Sequence, residues 1–404
     1  MTDRRVAITG IGCLSALGLT REEVWANLVA GRCGIGRPRQ FDTSEYRSQI
    51  AAEIPEFDAT DKLTPLERRR WSRTDQIAVF ATAEALDDAG FADGLEGERV
   101  AVILGAGTGD LRRNQQYLAE MRTRGVKRAR PSKIFNHFSS TPVDVVGERF
   151  SFRGPRSCVV AACSSSTIAI GQAADAVRYG SADYAVCGGA DVLCALTVSG
   201  FNALRLVDLE PCRPFDAGRA GMSLGEAAAV LLLEPLDHAK ARGAHIYAEL
   251  AGYGVACEAY HPTSPEPDGR AIVSTISLAL AQAGLAADAV DYINAHGTGT
   301  VHNDQAEARA FYRAFGDRAA RVPVSGIKAM VGHCLGAAGA IEAAALALSI
   351  DRGVVPPTIH HSQTDPECPL DVVPNEARDL QVHCGLSTSL AFGGNDSALV
   401  MKRI

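Results

Sequence analysis

Val159-Val160-Ala161-Ala162-Cys163-Ser164-Ser165-Ser166-Thr167 carries a short apolar, β-branched run into a long alanine-rich helical pattern, with one cysteine at the junction. A strand that turns tightly into a helix is the repeating unit of layered α/β folds. A thiol placed there lies beside the positive end of the helix dipole and near unpaired backbone N–H groups, which favour the thiolate. Taken alone, such a cysteine is more often structural than reactive, because free cysteine is among the most buried residue types.

The same grammar recurs along the chain. Short apolar runs at residues 5–8, 100–104, 157–161, 184–188, 228–233, 248–253, 292–295 and 322–325 alternate with longer helical patterns. That alternation predicts an α/β architecture. It is present in both halves, so a duplicated architecture is expected, although no repeat is legible residue by residue. The region of Glu234-Pro235 and Ala241-Arg242-Gly243 reads as a hinge, dividing the chain into 1–245, which carries the cysteine, and 246–404.

Composition narrows the function. With 47% apolar residues, 22% charged residues and a net charge of -7, the 404-residue chain is globular and offers no general basic field for nucleic acid. Eleven cysteines without a C-x-x-C pair or zinc-type Cys/His spacing point to a reducing cytoplasm and to no metal site. No apolar run reaches the roughly 20 residues of a membrane helix, so a soluble protein is expected. Residues 6–19 follow Arg4-Arg5 like a leader, but glycines interrupt them and Thr20-x-x-Glu23 opens a helix. Gly105-Ala106-Gly107-Thr108-Gly109-Asp110 fails the dinucleotide fingerprint at its third glycine, and no Walker A sequence occurs.

Two further segments share the cysteine's setting. In Tyr292-Ile293-Asn294-Ala295-His296-Gly297-Thr298-Gly299-Thr300, a histidine leaves a strand end among small residues that let a ligand approach the backbone, and a helix carrying Asp304 and Glu307 follows. In Val324-Ser325-Gly326-Ile327-Lys328-Ala329-Met330-Val331-Gly332-His333, the histidine precedes a strong helical pattern over residues 335–350. Helix dipoles there disfavour imidazolium and leave a neutral N–H donor. One cysteine and two histidines so placed suit acyl transfer to the thiol followed by carbon–carbon bond formation. Cys163 takes the acyl group, while His296 and His333 stabilise the enolate left when a malonyl thioester loses carbon dioxide.

At this point the chain resembles, from end to end, the β-ketoacyl-acyl carrier protein synthases of the elongating, synthase I and II type. The matching tracts are Val6-Ala7-Ile8-Thr9-Gly10-Ile11-Gly12, Ala162-Cys163-Ser164, Gly188-Gly189-Ala190, Arg213-Pro214-Phe215-Asp216, Asn294-Ala295-His296-Gly297-Thr298, Lys328 with His333, Gly336-Ala337-Ala338-Gly339 and Phe392-Gly393-Gly394-Asn395. The resemblance implies the thiolase fold, two similar α/β halves stacked as five α/β/α/β/α layers, in a dimer whose partner helps wall the acyl pocket. It makes Cys163 the nucleophile, His296 and His333 the decarboxylation pair, and Lys328 a charged organiser paired with Glu307, with Asp304 in support. Phe392 and Gly393 become the gate, the N–H groups of Cys163 and Phe392 the oxyanion hole, and Thr298 and Thr300 the pantetheine contacts. The implied partner is an acyl carrier protein, whose phosphopantetheine holds the substrates, with no further cofactor.

Departures from the housekeeping pattern are Ser164-Ser165-Ser166 after the cysteine, Glu258 in place of an aspartate in the second gating loop, and Thr108 at the acyl-pocket floor. Together with Leu193-Cys194 and Gly200-Phe201-Asn202 they resemble ketosynthases of type II polyene and polyketide systems, which pair with a chain-length-factor subunit lacking the cysteine. Retaining Cys163 makes this chain the catalytic partner, in a homodimer or such a heterodimer. Arg68-Arg69-Arg70 with Arg73 reads either as a docking patch for the acidic carrier protein or as a solvated helix face. The alternatives are a housekeeping synthase II, a non-catalytic chain-length subunit, a degradative thiolase with Cys384 as second cysteine, and a cysteine hydrolase.

Overall fold

The computed structural model describes residues 4–56, 63–109, 111–130, 133 and 138–404; Asp110 of the glycine-rich stretch lies outside them. Eleven strands join in one sheet: β1 (Val6–Leu14), β2 (Val100–Gly105), β3 (Arg156–Val159), β4 (Tyr184–Asp191), β5 (Ala227–Pro235), β6 (Ala248–Cys257), β7 (Tyr292–Asn294), β8 (Pro323–Ser325), β9 (Asp371–Val372), β10 (Cys384–Ser389) and β11 (Asn395–Lys402). All eight apolar runs are strands. The others, β9 to β11, escaped the pattern.

The sheet order exposes the duplication that residue identities hide. From the seam outward the first half runs β1-β5-β4-β2-β3, and the second runs β6-β11-β10-β7-β8, with β9 added at the edge. Counted within each half with β9 left out, both orders are first, fifth, fourth, second, third. Parallel and antiparallel pairings also correspond: β2 is parallel to β3 and β4, as β7 is to β8 and β10. At the seam β1 and β6 pair antiparallel through Ala7 with Glu249 and Ile8 with Ala248.

Helices follow the same plan. α1 (Arg73–Asp88) and α2 (Thr141–Arg149) cover one face of the first half, and α4 (Arg270–Ala283) with α5 (Val301–Phe315) flank the second. Between the halves lie α3 (Ser165–Arg178) and α6 (Ala338–Arg352), each touching strands of both. The result is the five-layered α/β/α/β/α stack expected. In the middle layer α6 is buried from Ala338 to Ile350, so its run of alanines is what lets it pack against sheet and helix alike. A Cβ on Gly339 would lie 1.9 Å from the Thr167 hydroxyl of α3, so this helix contact requires glycine.

Each central helix is entered through a three-residue turn, Ala162–Ser164 before α3 and Leu335–Ala337 before α6. The first residue of each turn has the left-handed backbone that L-residues rarely adopt, with φ of 47° at Ala162 and 52° at Leu335. Strain of this kind persists where surrounding packing fixes it, often beside reactive groups. Cys163 is the second residue of its turn, and Gly336 is its counterpart in the other half.

Candidate active site

Three strand ends deliver the three predicted groups to one place. Cys163 follows β3, His296 follows β7, and His333 follows β8 and a short helix, Lys328–Val331. Ligands of α/β sheets bind outside the carboxyl ends of such strands. The Cys163 sulfur and one ring nitrogen from each of His296 and His333 all lie within 4.8 Å of one another, and all three residues are buried. The two imidazole rings stand edge to face, with centroids 5.3 Å apart and planes at 86°.

Their protons are fixed by what holds the rear of each ring. The Leu335 backbone N–H donates to His333 Nδ1 at 3.1 Å, so the neutral ring carries its proton on Nε2. The Lys328 ammonium lies 3.1 Å from His296 Nδ1, and an ammonium only donates, so His296 is also an Nε2–H donor. Burial, and then the Lys328 charge, hold both histidines well below the ordinary imidazole range; His333 adds to the effect on His296. The pair therefore presents two uncharged donors. Such rings are poor metal ligands, because the lone pairs a cation needs already face Lys328 and Leu335.

Lys328 corrects one expectation. Its ammonium pairs with Glu342 of α6, not with Glu307, and also donates to the His296 carbonyl. Glu307 instead holds backbone: its carboxylate accepts from the N–H groups of His296 at 2.7 Å and Gly297 at 2.9 Å and from the Thr388 hydroxyl at 2.6 Å. Burial pushes both Glu307 and Glu342 up to about 7. Asp304 organises the next turn, accepting from the N–H groups of Phe215 at 2.8 Å and Gly299 at 3.2 Å. Lys328→Ala should lower turnover by about 10²-fold, because a misplaced reacting group costs that much. It should also lower the melting temperature, since removing one partner of a buried ion pair costs about 3–5 kcal/mol. Steady-state kinetics and calorimetry of the variant check both effects.

A second expectation changes sign. The thiolate is not favoured at rest, because burial pushes the Cys163 thiol up to about 11, against the pull of the Lys328 charge and of the Phe392 backbone N–H. That N–H is near enough to the sulfur to favour its charge. Phe392 is half-buried and its ring stacks on Phe201 at 5.7 Å. Gly393 beside it is exposed, with φ of 83°, and its N–H donates to the Pro262 carbonyl at 2.8 Å.

The cavity above the sulfur is lined by both histidines, Thr298, Thr300, Phe392 and Met222, among others. Thr298 and Thr300 bond each other at 2.9 Å. Thr108 is not among the residues lining this cavity, and its hydroxyl donates to Asp191 at 2.7 Å. The serine run is likewise spent on anchoring. Ser164 donates to the Ser389 and Asn395 carbonyls, Ser165 to the Ala162 carbonyl, and Ser166 accepts from the Ala340 N–H. Of the basic cluster, Arg69 and Arg70 are exposed on a cleft shared with Arg113, Arg130 and Lys133, and Arg68 is half-buried beside them. Arg73 turns inward to the buried Glu226 at 2.7 Å and leaves the patch. Cys384, the possible second cysteine, is buried in β10 and does not line the cavity.

Two site carboxylates went unread in the sequence, Glu342 and Asp396. Glu342 is the one acid inside the buried run of α6 from Ala338 to Ile350, and Asp396 is the one acid of β11, and that is the available signal.

Comparison with known proteins agrees over the whole length. Residues 3–239 match the family described as "Beta-ketoacyl synthase, N-terminal domain" and residues 247–362 "Beta-ketoacyl synthase, C-terminal domain". A 3-oxoacyl-[acyl-carrier-protein] synthase 2 of Synechocystis is 38% identical, covering 99% of this chain and 98% of the relative. The ishigamide ketosynthase/chain length factor structure superposes with a TM-score of 0.95 at 36% identity over 100% of both chains. A type II polyketide synthase acyl-carrier protein in complex with its ketosynthase bound to the hexaketide gives 0.93 at 30% identity, again over 100% of both chains.

Proposed function

The chain belongs to the beta-ketoacyl synthase family, and from that premise we propose that it condenses a malonyl unit with an acyl group held on Cys163, both delivered by an acyl carrier protein. The observation that carries this reading is the convergence of the Cys163 sulfur and one ring nitrogen from each of two histidines within 4.8 Å, with the Nδ1 atom of each ring held from behind by Lys328 or Leu335.

The Cys163 sulfur attacks the carrier-bound acyl thioester, and the N–H groups of Cys163 and Phe392 receive the negative charge on its oxygen. The carrier thiol leaves with the cysteine's proton, leaving an acyl-cysteine. A malonyl thioester then places its carbonyl oxygen against His296 and His333. Because both rings are neutral donors, they stabilise the enolate that remains when carbon dioxide departs without protonating its carbon. That carbon attacks the acyl-cysteine carbonyl, the new carbon–carbon bond forms, the cysteine–acyl bond breaks, and the thiolate takes up a proton. Thr298 and Thr300 line the approach for the pantetheine arm. The reaction so written uses no cofactor beyond that arm. A cysteine hydrolase needs a histidine that accepts the thiol proton, and the accepting Nδ1 of each ring here faces Lys328 or Leu335 instead.

We place the chain in a type II polyene or polyketide system, as the catalytic subunit beside a chain-length-factor-like partner or a second copy. The likeness to the ishigamide ketosynthase/chain length factor supports this. Arg69 and Arg70 on their basic cleft would guide an acidic carrier protein, and eleven free cysteines suit a reducing cytoplasm. Fatty acid elongation is the second reading, favoured by the 38% identity to the Synechocystis synthase 2. Competition between carrier-bound primers of equal length separates them. Conjugated polyenoyl chains should be extended faster than saturated ones by about tenfold or more, the discrimination a shaped pocket supplies. Equal or faster extension of saturated chains assigns the enzyme to fatty acid elongation.

A further inference from the structure

The two central helices are entered alike, yet the middle N–H of each entry turn serves a different partner. In the turn Ala162–Ser164 it is the N–H of Cys163, which the reaction proposed above directs at the substrate oxygen. In the turn Leu335–Ala337 it is the N–H of Gly336, and it donates to the Asp191 carboxylate at 2.9 Å. Asp191 is the last residue of β4 and is 0% exposed. The oxygen that accepts from Gly336 also accepts from the Gly107 N–H at 2.8 Å. The other oxygen accepts from the Thr108 N–H at 3.2 Å and from the Thr108 hydroxyl at 2.7 Å. Burial raises this carboxyl above the ordinary range, against the pull of these donors.

The backbone around Asp191 is packed closely enough to pass its position on. A Cβ on Gly336 would lie 2.2 Å from the Gly107 nitrogen, so the turn rests directly against the loop that follows β2. The residue before Gly336 is Leu335, whose left-handed backbone, at φ of 52°, persists only where its neighbours fix it. Holding the Gly336 N–H fixes the peptide plane on one side of Leu335. The N–H on the other side is the one that donates to His333 Nδ1 at 3.1 Å and so selects the tautomer of that ring. The His333 backbone is held separately, its N–H by the Ser223 carbonyl at 2.7 Å and its carbonyl by the Gly225 N–H at 2.9 Å. Asp191 therefore bears on the ring of His333 and not on its main chain.

We propose that Asp191 is a positioning residue for decarboxylation. By holding the Gly336 N–H it keeps Leu335 in its left-handed form, and through the Leu335 N–H it keeps the His333 proton on Nε2, facing the cavity. This role rests on His333 being the enolate donor proposed above, whereas the tautomer itself is read without substrate. Cys163 lies outside this line of hydrogen bonds. The loop after β2 reaches its helix only by packing, Gly105 against the Ser166 backbone. Loss of Asp191 should therefore fall on the half-reaction of His333.

NMR of protein carrying histidine labelled at the ring nitrogens reports the tautomer directly, with the His333 signals identified by their loss in His333→Ala. In the wild type the proton should stay on Nε2 from pH 6 to 8. Asp191→Ala should give a mixture of tautomers. It should also slow carbon dioxide release from malonyl-carrier protein by about tenfold or more, since misplacing a reacting group costs up to about 10²-fold, with acylation of Cys163 changed no more than a few-fold. Asp191→Asn can keep its amide oxygen on Gly107 and Gly336 and turn its NH₂ to the Thr108 hydroxyl, which then accepts. It should restore both the tautomer and decarboxylation to within a few-fold of wild type. Gly107→Ala leaves Asp191 in place but sets a Cβ 2.7 Å from its oxygen and 3.0 Å from the Gly336 nitrogen. It should reproduce the Asp191→Ala effects in milder form, and it decides the matter if Asp191→Ala does not fold. A wild-type tautomer in Asp191→Ala and Gly107→Ala, an equal fall in both half-reactions, or an asparagine variant as impaired as the alanine one overturns the proposal. A wild type that neither takes up acyl groups nor releases carbon dioxide would count against the function proposed above, and the tautomer comparison would still decide the role of Asp191.

Discussion

Cys163→Ala should abolish condensation, with turnover falling by at least about 10⁴-fold, as it does when the nucleophile of a concerted catalytic group is removed. Several buried cysteines exist, but Cys163 alone among the cysteines lines the cavity with the histidines. Cys334 and Cys212 sit nearby in sequence to His333 and Phe215, yet burial raises both thiols further than Cys163 and neither lines the cavity. The variant should form no acyl-enzyme with an acyl-carrier substrate, as intact-protein mass spectrometry would show. Its fold should be unharmed, because alanine suits the tight turn as well as cysteine does. Condensation at the wild-type rate by this variant would remove the covalent step from the mechanism.

His333→Ala should separate the two half-reactions. Loss of one preorganised donor to a developing oxyanion costs about 10²–10³-fold, and here that loss should fall on carbon dioxide release from the malonyl thioester, with acylation of Cys163 changed no more than a few-fold. The pH profile carries the second signature. The folded state holds both histidines neutral well below the ordinary imidazole range, so in a Glu307→Gln, Glu342→Gln background, which removes the two carboxyls that titrate near 7, decarboxylation should not fall as pH drops from 8 to 6. An ordinary imidazole would lose half its neutral form near 6.5. A half-loss of decarboxylation at that pH in this background would show that the rings are not the buried, uncharged donors described here.

The histidines and the cysteine were legible because each combines a reactive side chain with a strand end, small neighbours and a following helix. Their rear contacts were not. Glu307 and Glu342 are both buried acids, and only the packing of α6 across the site brings Glu342 to Lys328 while Glu307 turns to the backbone of His296. The thiolate expectation failed for a similar reason: a helix terminus is visible in sequence, whereas the burial that outweighs it is not. β10 was missed because Cys384-Gly385-Leu386-Ser387-Thr388-Ser389 is buried along its whole length and shows no alternation. Its hydroxyls are drawn to partners in other elements, Thr388 to Glu307 and Ser389 to Thr167. The duplication lay in strand order rather than residue identity, so only the topology reveals it.

The account turns on one sulfur and two neutral donors serving a single thioester-sized space, and a pulse-chase tests that most directly. Protein charged with a labelled acyl group from its carrier is separated and chased with malonyl-carrier protein. One acyl group on the peptide containing Cys163, discharged with one carbon dioxide released per acyl group lost, is the predicted result. Label on another cysteine, or discharge to water with no carbon dioxide released, would contradict it.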